Sequence, residues 1–156
     1  MKKTQIVAFL LTSCLSTGWA FTCYATFVKS TCWQAYTVTL TLMDAMQNKP
    51  ITTLSIPSNT SWVRGEFECT PLQTLQLQAT FNPTIWENDV NKIYYGTKFK
   101  ILPATMSKNT GAWDIPICFD NDFAEVPLPP SATSLCQCNM KSIPPIAPIS
   151  LEGSAQ

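Results

Sequence analysis

The sequence predicts an all-β fold: a single β-sandwich, or an open barrel, of about seven strands, stapled by disulfides and followed by a proline-rich extended segment. Three observations predict it. Apolar and polar residues alternate at a period of two along most of the chain, and no long segment carries the helical period. Turn-forming clusters recur between the alternating runs at close to the spacing of a sandwich. The chain holds seven cysteines and 20 threonines; the cysteines point to disulfides, and the threonines suit strands better than helices.

The chain opens with a leader. Met1-Lys2-Lys3 is a short basic start, Ile6–Leu11 is an apolar run, and Gly18-Trp19-Ala20 sets small residues at a cleavage position. Residues 1–20 therefore read as a cleaved signal peptide, with the mature chain starting at Phe21. The apolar run is too short to span a bilayer, and no later segment approaches the required length, so no transmembrane span is expected. A second processing route competes. Leu11-Thr12-Ser13-Cys14 resembles the lipobox of bacterial lipoproteins, which implies lipidation at Cys14 and an outer-membrane lipoprotein. Lipoproteins usually follow that cysteine with a polar tether, whereas here Leu15, Trp19 and Phe21 keep the stretch apolar, so cleavage after Ala20 is favoured. The compact double-lysine start looks bacterial, and the expected location is periplasmic or secreted.

Without Lys2 and Lys3 the ten basic residues become eight against ten acidic ones, a net charge of −2. That balance offers no electrostatic footprint for nucleic acid or for an anionic membrane surface. There is no histidine. Ser-His-Asp and Cys-His triads, HExxH zinc sites and all His-based acid–base schemes are thereby excluded.

The strands follow in order. Thr22–Lys29 is the first candidate. Tyr36–Leu42 alternates without a fault, with Val38, Leu40 and Leu42 facing a core and Thr37, Thr39 and Thr41 facing out. Thr52–Ile56 and Ser61–Glu68 are weaker candidates. In Thr74–Phe81 the inward set is Leu75, Leu77, Ala79 and Phe81. Ile93–Ile101 reads as one strand with Ile93, Tyr95, Phe99 and Ile101 on one face and Tyr94, Lys98 and Lys100 on the other. Trp113–Phe119 closes the series. Turns are expected at Asn48-Lys49-Pro50, Pro57-Ser58-Asn59, Pro71, Asn82-Pro83 and Lys108–Gly111, with one helical turn over Thr84–Val90 capped by Thr84.

Either leader route removes Cys14 and leaves Cys23, Cys32, Cys69, Cys118, Cys136 and Cys138, which allow three disulfides and fifteen connectivities. Cys136-Gln137-Cys138 is too short for a thioredoxin-like motif; on a strand, both side chains share one face and reach two different partners. The sandwich is expected over residues 21–126. Six of the 12 prolines fall within residues 127–156, which read as a proline-rich, partly disordered arm stapled in its middle by Cys136 and Cys138. Ile143, Ile146 and Ile149 recur every third residue, so a polyproline helix presents them along one edge as candidates for docking a partner.

Candidate sites are few. Asp120, Asp122 and Glu125 form the one acidic cluster and are the candidate calcium ligands, although the segment lacks the glycine of an EF-hand loop. An acidic turn after a strand is the simpler meaning, and neither metal nor cofactor is expected. Pairing these carboxylates with Glu66, Glu68 or Glu87 is the pattern a glycoside hydrolase needs, but nothing in the sequence fixes a separation. Trp33, Trp62, Trp86 and Trp113 suit a core or interface first, and a sugar-stacking surface second. No catalytic residue is expected. The function expected is that of a non-catalytic exported interaction module, a structural subunit of a cell-envelope assembly whose partners are other envelope proteins or further copies of itself. Outer-membrane secretion core complexes contain small β-sandwich subunits of this sort, a likeness of architecture without a shared motif. The alternatives are a carbohydrate- or ligand-binding module and a carboxylate-based hydrolase.

Overall fold

The computed structural model describes residues 21–105, 112–133 and 135–146. The leader, Cys14, the Lys108–Gly111 turn and Ile149 lie outside the described residues. Eight strands form two sheets: β1 (Phe21–Val28), β2 (Thr37–Asp44), β3 (Lys49–Ile56), β4 (Trp62–Cys69), β5 (Thr74–Asn82), β6 (Tyr94–Tyr95), β7 (Lys100–Ile101) and β8 (Trp113–Cys118). A three-stranded sheet runs in the order β4-β1-β8, with β1 antiparallel to β4 and parallel to β8. A five-stranded sheet runs β3-β2-β5-β6, with β7 also pairing β5. The architecture is an all-β, sandwich-like pairing of two sheets held by three disulfides.

The inward faces follow the alternation of the sequence. Val38, Leu40 and Leu42 of β2 and Leu75, Leu77 and Ala79 of β5 are buried against Cys23, Ala25 and Phe27 of β1 and Ile115 and Ile117 of β8. Each fully buried aliphatic or aromatic side chain stabilises by about 1.5–3 kcal/mol relative to leaving it exposed. One end of the core is aromatic: Trp33 stacks on Phe81 at 5.3 Å, and Phe119 meets Trp33 edge-on at 4.7 Å. The β2–β3 turn shows why it forms. The Asp44 carboxylate accepts the N–H groups of Met46 (2.9 Å) and Gln47 (2.8 Å) and the Gln73 amide (2.8 Å), and Asn48 takes φ 51°. These bonds, led by the one from Gln73, hold the Asp44 carboxyl below the ordinary carboxylate value. Lys49 and Pro50, expected in that turn, instead start β3.

Two further expectations are corrected. Ile93–Ile101 is not one strand but two pairs of residues, and its phase is reversed. Tyr94 packs against the core cluster, while Ile93, Tyr95, Phe99 and Ile101 are exposed, from 45% at Ile93 to 68% at Ile101. The cause is non-local. Gly96 brings the backbone so close to Leu77 that an added Cβ would sit 2.9 Å from the Leu77 Cβ, and Thr97 N–H turns away to the Asp122 carbonyl (2.8 Å). Lys100 then reaches the Asp122 carboxylate at 2.6 Å, so the chain dips towards the short helix α1 (Phe119–Asp122) instead of pairing along β5. The second correction concerns the Thr84–Val90 turn. It narrows to a 3-10 turn at Glu87–Asp89, led by Trp86 with no side-chain cap, so Thr84 does not cap it.

The disulfides are Cys23–Cys69, Cys32–Cys136 and Cys118–Cys138. Cys136 and Cys138 do reach two partners, but from irregular chain and not from a strand. Most of the outer strands are blunted: β3 carries Pro50, β8 carries Pro116, and β6 and β7 have two residues each, whereas β4 is an eight-residue edge without proline.

Candidate interaction surface

The outward face of the five-stranded sheet is built by the odd half of each alternation. Thr39 pairs with Ser55 on β3 and Thr80 on β5, and Thr41 pairs with Thr53 and Gln78, which continues to Tyr95 on β6. Hydroxyls meet across the strands, Thr39 to Ser55 at 3.1 Å and Thr41 to Thr53 at 3.3 Å. Thr37, Met43, Thr74 and Gln76 extend the face, and Ile101, opposite Thr74, closes its far side. None of these strand positions bears a charge. An uncharged face of amides, hydroxyls and a few apolar side chains is cheap to desolvate, because no ion loses its water when it is covered. Beside it a cleft of about 350 Å³ is lined by Phe99, Ile101, Trp113 and Pro116.

The outward face of the three-stranded sheet differs in kind. Arg64 on β4 donates from Nε to the Thr26 hydroxyl (2.8 Å), Thr26 donates to Asp114 (2.6 Å), and Arg64 and Asp114 are paired at 3.7 Å. Glu66 and Glu68 are exposed on the same face. The arm lies against it, for Arg64 also donates to the Pro144 carbonyl at 2.9 Å. Ile143 and Ile146 are half-buried there and are not held out from the domain.

The acidic cluster has structural tasks. Asp120 accepts from Ser30 N–H (3.1 Å), the Ser30 hydroxyl (2.8 Å) and the Trp33 indole (2.9 Å), tying the segment after β1 to α1. Asp122 accepts the Cys118 N–H (2.9 Å) as well as Lys100. Glu125 is exposed. Among the described residues the one group of three candidate metal ligands is Cys118, Asp120 and Cys138, and its two sulfurs are joined to each other. Asp120, Asp122 and Glu125 are not brought together as a calcium set. Nor are the hydrolase candidates: Glu66 and Glu68 lie on the outer face of β4, and Glu87 lies in the turn after β5.

The four tryptophans form no common platform. Trp33 is core, Trp113 packs on Phe21 at 5.6 Å, Trp62 lies under the Arg64 guanidinium at 5.7 Å, and Trp86 adjoins Tyr94 at 6.2 Å. The segment around Trp86 encloses a cavity of about 480 Å³.

Two groups escape sequence reasoning. Lys29, only 1% exposed, donates from Nζ to the carbonyls of Tyr36, Ile56 (3.4 Å) and Pro57 (2.9 Å). Loss of bulk water outweighs these acceptors and lowers its pKa to about 8. The other is Asp89, whose carboxylate takes the Tyr94 hydroxyl and the Lys92 ammonium (3.1 Å) and is held below its ordinary value, mainly by Tyr94. Burial and the Asp89 carboxylate raise the Tyr94 phenol in turn. Neither group sits in a motif; the Lys29 group joins chain segments that meet only in the fold, whereas Asp89 takes its partners from three and five residues along the chain.

Comparison with family models, with curated proteins and with solved structures gives no match to this chain. The class reached is therefore architectural, a disulfide-held two-sheet β protein.

Proposed function

We propose that this chain is a non-catalytic, exported interaction module, a structural subunit of a bacterial cell-envelope assembly of the general kind found in outer-membrane secretion core complexes. The observation that carries the reading is the uncharged outward face of the five-stranded sheet, while the described part of the arm crosses the opposite face at Arg64. Tyr95 and Ile101 on that face, with Phe99 beside it, supply apolar anchors of the sort that dominate interface energetics. The partner is another envelope protein whose matching surface is likewise uncharged, since a charged surface would lose its water there without gaining a counter-ion. Three disulfides suit an oxidising compartment, and the leader grammar supports delivery to the periplasm after cleavage at Ala20.

Site-specific photo-crosslinking in intact envelopes tests this. A photoreactive residue at Gln78 or Tyr95 is expected to give one defined heterologous adduct, and the same probe at Glu66 or Glu68 none. Adducts from Glu66, or from Ile143 and Ile146, with none from Gln78 or Tyr95 would overturn the choice of face. Adducts of this chain only with itself would replace the heterologous partner by self-association.

A further inference from the structure

The cavity at the end of β5 borders the proposed docking face, sharing Thr80 with it, and has a different chemistry. It lies between the last residues of β5 and the segment that leads to β6. At about 480 Å³ it falls within the range of small-molecule sites. One wall is aromatic, the Trp86 indole beside the Tyr94 ring, and Phe81 braces Tyr94 from behind at 5.3 Å. Around it stand the amides of Asn82 and Asn91, each able to donate and to accept.

The charges in the lining settle the ligand class. Asp89 and Lys92 both contribute to it, and they neutralise each other at 3.1 Å, with Lys92 held over the Tyr94 ring at 4.8 Å. No second cation is present to hold a phosphate or carboxylate, and no second carboxylate to hold a metal ion. An aromatic wall, amide groups and a self-compensated ion pair match a ligand that has an apolar face, many hydroxyls and no charge. We propose that this cavity binds one neutral pyranose unit of a glycan, stacked on Trp86 and hydrogen-bonded by Asn82, Asn91 and the Asp89–Lys92 pair. A hydroxyl donates to the free lone pairs of Asp89, and Lys92 donates to a ring or hydroxyl oxygen. Asn91, at φ 61°, turns the backbone back towards β6 and is part of the cavity lining.

The test is titration of the disulfide-intact protein, followed by the Trp86 indole N–H signal in NMR. The probes are glucose, N-acetylglucosamine and their linear trimers, with glucuronic acid and glucose 6-phosphate as charged controls. A neutral sugar is expected to shift the Trp86 signal with a Kd of about 0.1–10 mM, and the charged analogues to bind at least about tenfold more weakly. A trimer that binds better than its monomer identifies a polymeric glycan as the source, and equal binding identifies a free sugar; both support the subsite. Trp86→Ala, which lacks that reporter and is therefore titrated by calorimetry beside the parent, should reduce binding at least about tenfold. Because Trp86 also packs on Tyr94, Asn91→Asp provides a second variant: it keeps the size and the turn, adds a charge, and is expected to weaken binding with an unchanged melting temperature. No shift with any neutral sugar at about 50 mM, equal binding of the charged sugars, or binding that survives both substitutions overturns the proposal.

Discussion

The two sheets are built on different terms. The three-stranded sheet is held covalently: Cys23–Cys69 joins β1 to β4, Cys118–Cys138 ties the end of β8 to the arm, and Cys32–Cys136 anchors the segment just after β1. Its outward face is charged, cross-linked through Arg64, Thr26 and Asp114, and crossed by the arm. The five-stranded sheet contains no cysteine and relies on the ladder and on close packing. The strand positions of its outward face carry no charge among the described residues. Covalent reinforcement and polar cross-linking are thus placed on one side of the molecule, and the other side is the one that costs least to dehydrate.

The largest expected effect tests whether packing alone holds the five-stranded sheet. Leu40→Asp places an unpaired carboxylate in its core, at a cost of several kcal/mol, comparable to the whole stability of a domain, and should abolish folding. Thr39→Asp, one residue along on the outward face, should leave the melting temperature within a few degrees of the parent. Circular dichroism melts of the pair decide it; equal tolerance would mean that the inward set has been assigned to the wrong face.

A smaller effect probes the covalent side. Replacing Cys23 and Cys69 together by Ser removes the bridge nearest the core and is expected to cost about 2–5 kcal/mol in denaturant unfolding. A loss below about 0.5 kcal/mol would show that this sheet, like its neighbour, is held by packing.

The smallest effect concerns the buried ammonium between the two sheets. The Lys29 pKa falls from 10.5 to about 8 on folding, so across that window the unfolded chain holds a proton that the folded chain has released. Stability therefore rises with pH, by about 2 kcal/mol between pH 8 and pH 10. The raised Tyr94 phenol acts in the opposite sense above pH 10, which sets the upper limit of the useful range. Lys29→Met should lose this rise and, by stripping the donor from three carbonyls, also cost about 1–3 kcal/mol at neutral pH. An identical pH slope in the variant would sink the assignment to Lys29.

What could be read in advance differs between the sheets for a physical reason. β2 and β5 are legible because one face is fully buried and the other is not, so the pattern of Val38, Leu40 and Leu42 against Thr37, Thr39 and Thr41 sets the register directly. In Ile93–Ile101 the same alternation misleads. The phase there is set by Tyr94 joining Phe81 and Trp86, by Lys100 reaching Asp122, and by the close approach at Gly96, all contacts with distant parts of the chain. Apolar residues that alternation would bury are left outside for that reason. The acidic cluster was legible as a cluster, but Ser30 and Trp33, which occupy Asp120, come from the other end of the sequence. The disulfide pairing was beyond reach, since spacing does not choose among the fifteen connectivities.

The blunted strand edges bear on how many copies an assembly can hold. Pro50 on β3, Pro116 on β8 and the two-residue strands β6 and β7 leave little ladder for another chain to extend at those edges, while β4, eight residues without proline, is the long edge that remains. Growth by strand addition has no natural end, because each added chain offers a new edge to the next. A face, by contrast, is used up when it is covered. Joined through a face, each copy takes one partner and stops, so the stoichiometry is fixed by geometry rather than by supply.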